Sequence, residues 1–507
     1  MNFKTILNIL SALLTIMGLS MLFPAFISWL YNEPDLLSFI YSSGISVSLG
    51  LPIWFITRKS RTLRNRDGFA IVTFSWIITA LAGSLPFYLS GVIPNFTDAW
   101  FESMSGVTTT GATIIGNSTT LPHLVNGIES MPHGILFWRS FLQWIGGMGI
   151  ILFTIAILPL LGVGGVQLFK AEVPGPVADK IRPRINETAK ILWMVYVGFT
   201  LLQILLLGLA GMPWFDSVCH GFTTMPTGGF STQNASIAAY SNPAIHYIII
   251  FFMFVAGVNF TLHFRALTGN FKAHVKDYEF RVYLTIIFIS TLIIFFNISS
   301  TNSDWTHDSF LKSLFQSLAI LTGTGYSNAN YELWPYLSQH LLLILMFFGA
   351  MGGSTSGGMK IARIILLIKY AVTETRRMLH ARAVIPIKIG NRTISDEIVR
   401  NTLGFSLIYL SIFVLTAFVL SAFNLDFQSA VGAAASAIGN IGPALDGIAK
   451  RKSRDYIYTS LVNPSADLAQ GFESADASPM IPMNLVLDTQ ELADILAFLL
   501  TLNKQED

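Results

Sequence analysis

Charge is what this sequence has least of. Of its 507 residues only 12% are Asp, Glu, Lys or Arg and 52% are hydrophobic, whereas soluble domains carry about a quarter charged residues. That balance makes lipid the expected solvent. The net charge of +2 is too small to make a nucleic acid the partner, so the basic residues matter by where they sit. Cysteine is all but missing. Cys219 stands alone, which excludes an internal disulfide framework and every multi-cysteine metal or cluster site. No C-x-x-C-H occurs, so covalent haem is excluded. There is no Walker loop, HExxH or GxSxG elbow, and Gly162-Val163-Gly164-Gly165 misses the dinucleotide fingerprint because Gln167 stands at the third glycine. His220 and His263 lack partners at metal-ligand spacing. The expectation is a protein that is not an enzyme and carries no cofactor. The first apolar run is followed by no small-residue cleavage site, so it reads as a retained span.

What the sequence does have is long apolar runs. Stretches of roughly 20 residues, enough to cross a bilayer, fall at about 5–30, 36–57, 69–93, 137–162, 188–210, 246–266, 280–298, 338–370 and 400–423. Every even-numbered run exits into a basic loop: Arg58 to Arg66, Lys170 to Arg184, Arg265 to Lys276, and Arg363 to Arg392. The positive-inside rule then places those loops and the N-terminus in the cytoplasm.

The opposite loops contain an internal repeat. They read DAWFESMSGVTTTGAT (98–113), DSVCHGFTTMPTGGFS (216–231), KSLFQSLAILTGTGYS (312–327) and SAVGAAASAIGNIGPA (429–444), each reaching a glycine thirteen residues after its start: Gly111, Gly229, Gly325 and Gly442. The unit is helix, half-helix, glycine turn, helix. A re-entrant half-helix cannot face lipid with unsatisfied backbone, so it must line a water-filled cavity. The expected fold is an all-α membrane protein: four pseudo-repeated units around one central pore, plus an N-terminal helix pair. The expected divisions are 1–66 for the pair, 67–184, 185–278 and 279–395 for three units, 396–445 for an incomplete fourth, and 446–507 for a soluble-looking tail.

A dehydrated cation needs a ring of oxygens, which backbone carbonyls supply where consecutive residues turn the same way and glycine permits the dihedrals. The four filter strands are therefore expected at Thr109-Thr110-Gly111, Thr227-Gly228-Gly229, Gly323-Thr324-Gly325 and Asn440-Ile441-Gly442, with potassium as the only metal. The half-helices would direct their partially negative C-termini at the centre. The threonine hydroxyls are expected to bond neighbouring backbone rather than the ion. Glu102 either concentrates cations at the mouth or satisfies a local hydrogen bond, and the second is favoured. The eighth run contains Gly349, Gly352, Gly353, Ser354, Thr355, Ser356, Gly357 and Gly358, which no continuous helix tolerates cheaply at roughly 1 kcal/mol per glycine. An unwound segment there is a flexible gate or a kink for close packing. Lys360 and Arg363 beyond it contact a regulator or anchor the helix by snorkelling.

FESMSGVTTTGAT, GFTTMPTGGFST, TGTGYSNANY, FWRSFLQWIGGMGIIL and KAEVPGPVADKIRPRINETAKILW resemble the membrane subunit of the Trk/Ktr/HKT potassium-transporter superfamily, in its TrkH-like branch, up to about Leu445. The resemblance implies potassium uptake across the bacterial inner membrane, a homodimer with one pore per protomer, and control by a cytoplasmic TrkA-like nucleotide-binding ring. It maps the filter glycines onto Gly111, Gly229, Gly325 and Gly442 and the gating loop onto 349–358. In that family serine at the first glycine accompanies sodium transport; this chain has glycine at all four.

After Gly442-Pro443 the family continues to a tenth span, and this sequence turns charged. NLVLDTQELADILAFLLTLN (484–503) reads as an amphipathic soluble helix, since acidic residues cost roughly 2–3 kcal/mol each at mid-bilayer. The tail resembles the end of a small c-type cytochrome domain, with Met480 or Met483 near the axial position and no haem motif. Two further readings stand beside potassium conduction: a pore-like subunit that does not conduct, and a membrane redox protein.

Overall fold

A computed structural model describes residues 2–57, 65–115, 127–156, 185–302, 305–380, 385–390, 392–423 and 425–442. All belong to the first of two compact units, Met1–Leu445. The readings of the tail, of Gly162 to Gly165 and of the basic loops after the second and fourth runs lie outside the described residues.

The described chain is helical apart from one two-residue hairpin, Lys388–Ile389 with Arg392–Thr393. Six helices are long and apolar enough to span a bilayer: Phe3–Leu30, Leu36–Thr57, Ala70–Leu89, Lys190–Leu209, Tyr278–Thr301 and Asp396–Ala422. Helix His133–Ala156 occupies the position of the fourth run. Large apolar side chains such as Phe288, Leu407 and Phe418 face outward, while serines and glycines line the helix contacts. In the N-terminal pair, a Cβ added to Gly50 would lie 2.5 Å from the Thr15 hydroxyl and one on Gly18 would lie 2.8 Å from Ser46 Cβ. Small residues let helices approach where lipid gives no hydrophobic drive.

Two of the apolar runs are broken. The sixth divides into Pro243–Gly257 and Phe260–Leu267, bent by 104°. Val258 is extended between them, and the Asn259 side chain caps the second piece by accepting from the Thr261 N–H at 2.8 Å. The eighth divides into Tyr336–Phe348 and Ile361–Leu379 around the glycine-rich segment.

Four short helices fill the middle: Phe96–Val107, Trp214–Thr224, His307–Thr322 and Phe427–Gly439. Three begin at a side-chain cap, Asn95, Thr306 or Asp426, accepting from a first-turn N–H, each cap contributing ~1 kcal/mol. The third is the most enclosed, with Phe315, Leu318, Ala319, Ile320 and Leu321 buried within the largest core cluster. These half-length helices, and not the spans, are the centre of the molecule.

Candidate functional site

Each pore helix ends in the same turn. The residue two before the marked glycine is left-handed in all four copies: Thr109 at φ 57°, Thr227 at 57°, Gly323 at 72° and Asn440 at 59°. The marked glycines follow at φ 80°, 78°, 75° and 94° for Gly111, Gly229, Gly325 and Gly442. Three of the eight positions place a β-branched residue or asparagine in a region L side chains rarely enter, so the turn is imposed by the surrounding fold. The four strands also meet in cyclic order. A Cβ on Gly111 would lie 2.0 Å from the Gly228 carbonyl oxygen, one on Gly229 1.8 Å from that of Thr324, and one on Gly442 2.5 Å from that of Thr110. One on Gly323 would stand 3.4 Å from the Asn440 carbonyl oxygen. At Gly111, Gly229 and Gly442 glycine is thus required twice over, by its dihedral and by the carbonyl of the next strand around the ring.

The hydroxyls at the ring bond to protein, except that of Thr109, which is buried without a hydrogen-bond partner among the described residues. Thr108 and Thr110 share a hydrogen bond at 2.8 Å, as do Thr322 and Thr324, and Thr227 donates to the Pro226 carbonyl at 2.6 Å. The Asn440 amide donates to the Thr108 carbonyl at 2.9 Å and accepts from Thr110 at 2.5 Å, pinning the fourth strand to the first. Gly442 N–H donates to Ser436 Oγ at 3.0 Å, and Ile441 is buried.

Behind the first two strands stands helix His133–Ala156. Arg139, with 1% of its side chain exposed, pairs with the fully buried Glu102 at 2.8 Å. It also donates to the Ser231 carbonyl at 3.2 Å and to Thr113 at 3.2 Å, and its guanidinium lies 4.2 Å from the centre of the Phe230 ring. Glu102 accepts further from Thr113 Oγ1 and Ile114 N–H. Gln143 donates to the Gly228 carbonyl at 2.8 Å and accepts from Phe230 N–H at 3.2 Å. Glu102 is therefore a structural anchor. Arg139 and Gln143 were missed in the sequence, where they look like polar interruptions of an apolar run; opposite charges within two membrane segments are the signal that could have paired Arg139 with Glu102.

The glycine-rich segment folds into a loop on the side where the pore helices end. Gly349 and Gly358 face each other at its neck, each within 3.2 Å of where the other's Cβ would be. A Cβ on Gly357 would lie 2.4 Å from the Gly439 carbonyl oxygen, and Gly357 N is 3.5 Å from the corresponding point on Gly323. Thr355 donates to the Met225 carbonyl at 3.0 Å. The loop therefore touches the C-terminal ends of the second, third and fourth pore helices. It is stitched to the break in the sixth run by Met351 N–H to Gly257 O and Phe260 N–H to Gly353 O, both 3.1 Å. Ser356 Oγ accepts from Ala350 N–H at 3.0 Å, Ser354 donates to the Met351 carbonyl at 2.6 Å, and Gly352 N–H donates to Glu279 at 2.8 Å. Lys360, left-handed at φ 70°, turns its amine back onto the Ser354 and Ser356 carbonyls. Arg363 donates to the Met359 carbonyl and stacks on Phe405 at 4.2 Å.

Of the other sequence candidates, His220 bonds Asp216 O and Ser231 Oγ, and His263 bonds Val255 O. Among the described residues no group of three or more His, Cys, Asp or Glu could hold a metal ion.

Comparison with known proteins agrees with this architecture. A family model described as "TrkH: Cation transport protein" matches residues 38–454. The chain is 40% identical over 457 residues to the Trk system potassium uptake protein TrkH of Vibrio parahaemolyticus, covering 89% of this chain and 92% of that one. It is 39% identical over 458 residues to the protein of the same name from Escherichia coli K12, with the same coverage. The crystal structure of the potassium transporter TrkH from Vibrio parahaemolyticus superposes with a TM-score of 0.79 at 38% identity, over 89% of this chain and 92% of that one. Helical membrane architecture, a fourfold ring of glycine turns and matches over most of both chains converge on one conclusion: this chain belongs to the TrkH family of cation transport proteins.

Proposed function

We propose that the chain takes up potassium through the ring of strands at Gly111, Gly229, Gly325 and Gly442. The observation that carries this is the fourfold recurrence of one left-handed turn, closed in cyclic order, at the ends of four half-helices. Backbone carbonyls held in such a ring replace a cation's hydration shell, and the C-terminal ends of the helices favour positive charge there. The hydroxyls of Thr110, Thr227 and Thr324 are occupied with protein partners, which makes carbonyls the ion's principal ligands. One marked glycine per strand gives fewer successive sites than a five-residue filter, so selectivity over sodium is moderate and rubidium passes.

The loop 349–358 is the gate in this reading, because it lies against three of the four pore-helix ends and must move for an ion to leave the ring on that side. The chain is placed in the bacterial inner membrane with its N-terminus in the cytoplasm, as a homodimer with one pore per protomer. A TrkA-like nucleotide-binding ring on the cytoplasmic side controls the gate. The relatives' membership of the Trk system and the basic residues flanking the even-numbered runs support these assignments.

The test is growth of a potassium-uptake-deficient bacterium at low potassium with the chain expressed, whole and without 446–507. Rescue by both forms is expected. A chain that reaches the membrane and rescues in neither form is instead a pore-like subunit that does not conduct.

A further inference from the structure

We propose that Glu279 is the positioning residue that clasps the intramembrane loop shut. Glu279 sits in the first turn of helix Tyr278–Asn302 and is buried. A buried carboxylate is costly unless hydrogen bonds replace its water. The same oxygen, Oε1, accepts from Gly352 N–H at 2.8 Å and from Ala362 N–H at 3.2 Å. Those two donors lie on opposite sides of the loop's turn, one within the glycine-rich segment and one in the first turn of helix Ile361–Leu379. One atom therefore ties both limbs of the loop to a different helix.

The bonds are of the strong kind. Both are charge-assisted, and Ala362 N–H is one of the donors a helix start leaves without an internal partner, where negative charge is also favoured by the peptide dipoles. The loop's other outside attachments are bonds between neutral groups, at Gly257, Phe260 and Met225. Removing the carboxylate would leave two buried N–H groups to find water, which the loop reaches only by moving out from under the ring.

The location of the clasp gives it a handle. Glu279 follows the short basic helix Lys272–Lys276 by three residues. Between them, the Tyr278 ring receives the Lys369 amine at 4.9 Å and the Arg281 guanidinium at 5.7 Å. Displacing that basic segment withdraws the carboxylate from the neck of the loop.

This inference rests on the reading of the chain as a pore, and its test separates the two. Cys219 is the only cysteine, so Cys219→Ser with Met351→Cys gives a single thiol reporter at a loop position that is buried in the closed arrangement. In that background Glu279→Ala, Glu279→Asp and Glu279→Gln are compared by the rate of labelling with a membrane-impermeant thiosulfonate and by rubidium flux into liposomes. Glu279→Ala and Glu279→Asp are expected to raise labelling about tenfold and flux several-fold, corresponding to loss of roughly one charge-assisted bond. The rubidium-to-sodium ratio stays unchanged. Glu279→Gln, whose amide oxygen still accepts both bonds but without the charge, falls between the parent and Glu279→Ala. Unchanged labelling in Glu279→Ala and Glu279→Asp overturns the proposal, as does equal opening in Glu279→Gln. Failure to recover either shortened variant as a folded species by size exclusion assigns Glu279 to folding alone and also overturns it. A parent without rubidium flux that still shows the labelling pattern refutes conduction and leaves the clasp standing.

Discussion

The ring of strands and the loop beneath it lie in contact, yet they are held by different means. The ring is made of one turn used four times. Its left-handed residues and glycines repeat within narrow φ ranges, and Gly111, Gly229 and Gly442 are each confined by the next strand's carbonyl. The loop occurs once and is held by a handful of bonds from Gly257, Phe260, Met225 and Glu279, besides Lys360 folding back on it. A part that must present a fixed set of oxygens is over-determined by backbone. The loop, the gate in the function proposed above, is attached by replaceable contacts, each worth ~1 kcal/mol or a little more.

The sharpest way to break this contrast is to attack the ring from behind. Arg139→Met leaves Glu102 charged and buried without its partner, a change that costs ~3–5 kcal/mol. The expected outcome is a large loss of thermal stability, read by fluorescence-detected size exclusion, accompanied by loss of selectivity because Ser231 and Thr113 lose their donor. The double change Glu102→Gln with Arg139→Met should recover part of the stability.

Gly111→Ser comes next. Its Cβ would stand 2.0 Å from the Gly228 carbonyl oxygen, so the second strand must shift, at ~1–3 kcal/mol. Liposome flux should show the potassium-to-sodium ratio falling about tenfold, toward sodium. Gly404→Ala, a position with open space around it, is the control that leaves the ratio alone. An unchanged ratio in Gly111→Ser would mean that the ring does not select.

On the loop side, Thr355→Val removes the hydroxyl that reaches the Met225 carbonyl and keeps the side chain's volume. A neutral hydrogen bond is worth ~1 kcal/mol, so basal rubidium flux should rise about fivefold with the ion ratio constant. Opposite signatures, ratio without flux at the ring and flux without ratio at the loop, are what the comparison requires.

Much of this was legible in the sequence, for a physical reason. Repetition survives translation into structure: a glycine thirteen residues into each of four segments is the trace of one backbone turn, and the structure gives all four a positive φ at the glycine and two residues before it. The glycine-rich break in the eighth run was legible because so many glycines cannot stay helical. The break at Val258 was not. Asn259 is one polar residue in a long apolar run, and the bend comes from its cap and from Gly257 meeting the Tyr283 hydroxyl, 2.3 Å from where its Cβ would be, a tertiary contact with no local signature. The same holds for Gln143 and Glu279. Each is a single polar residue whose partner is a distant backbone group, 85 and 73 residues away, and backbone groups leave no mark on sequence.

The smallest expected effect lies outside both regions and shows whether the scaffold can be tuned without touching the ring. Asp35, between the first two spans, is buried where a Cβ on Gly134 would come within 2.5 Å of its Oδ2, at the start of the helix that carries Arg139 and Gln143. Burial, with help from the Glu33 charge, raises its pKa from 3.8 to about 6. The folded chain therefore holds this proton more tightly than the unfolded one. The stabilisation is fully present below 3.8 and is lost as pH rises to about 6, so at neutral pH the ionised carboxylate is a net cost to folding. Asp35→Asn removes that cost and most of its pH dependence. Its melting temperature should exceed the parent's at about pH 8 and converge with it at about pH 4. The potassium-to-sodium ratio should be the same in both proteins at both pH values, because no bond to the ring passes through Asp35. A ratio that moves with the stability would mean that the ring is held by the whole helix His133–Ala156 and not by the two side chains that touch it.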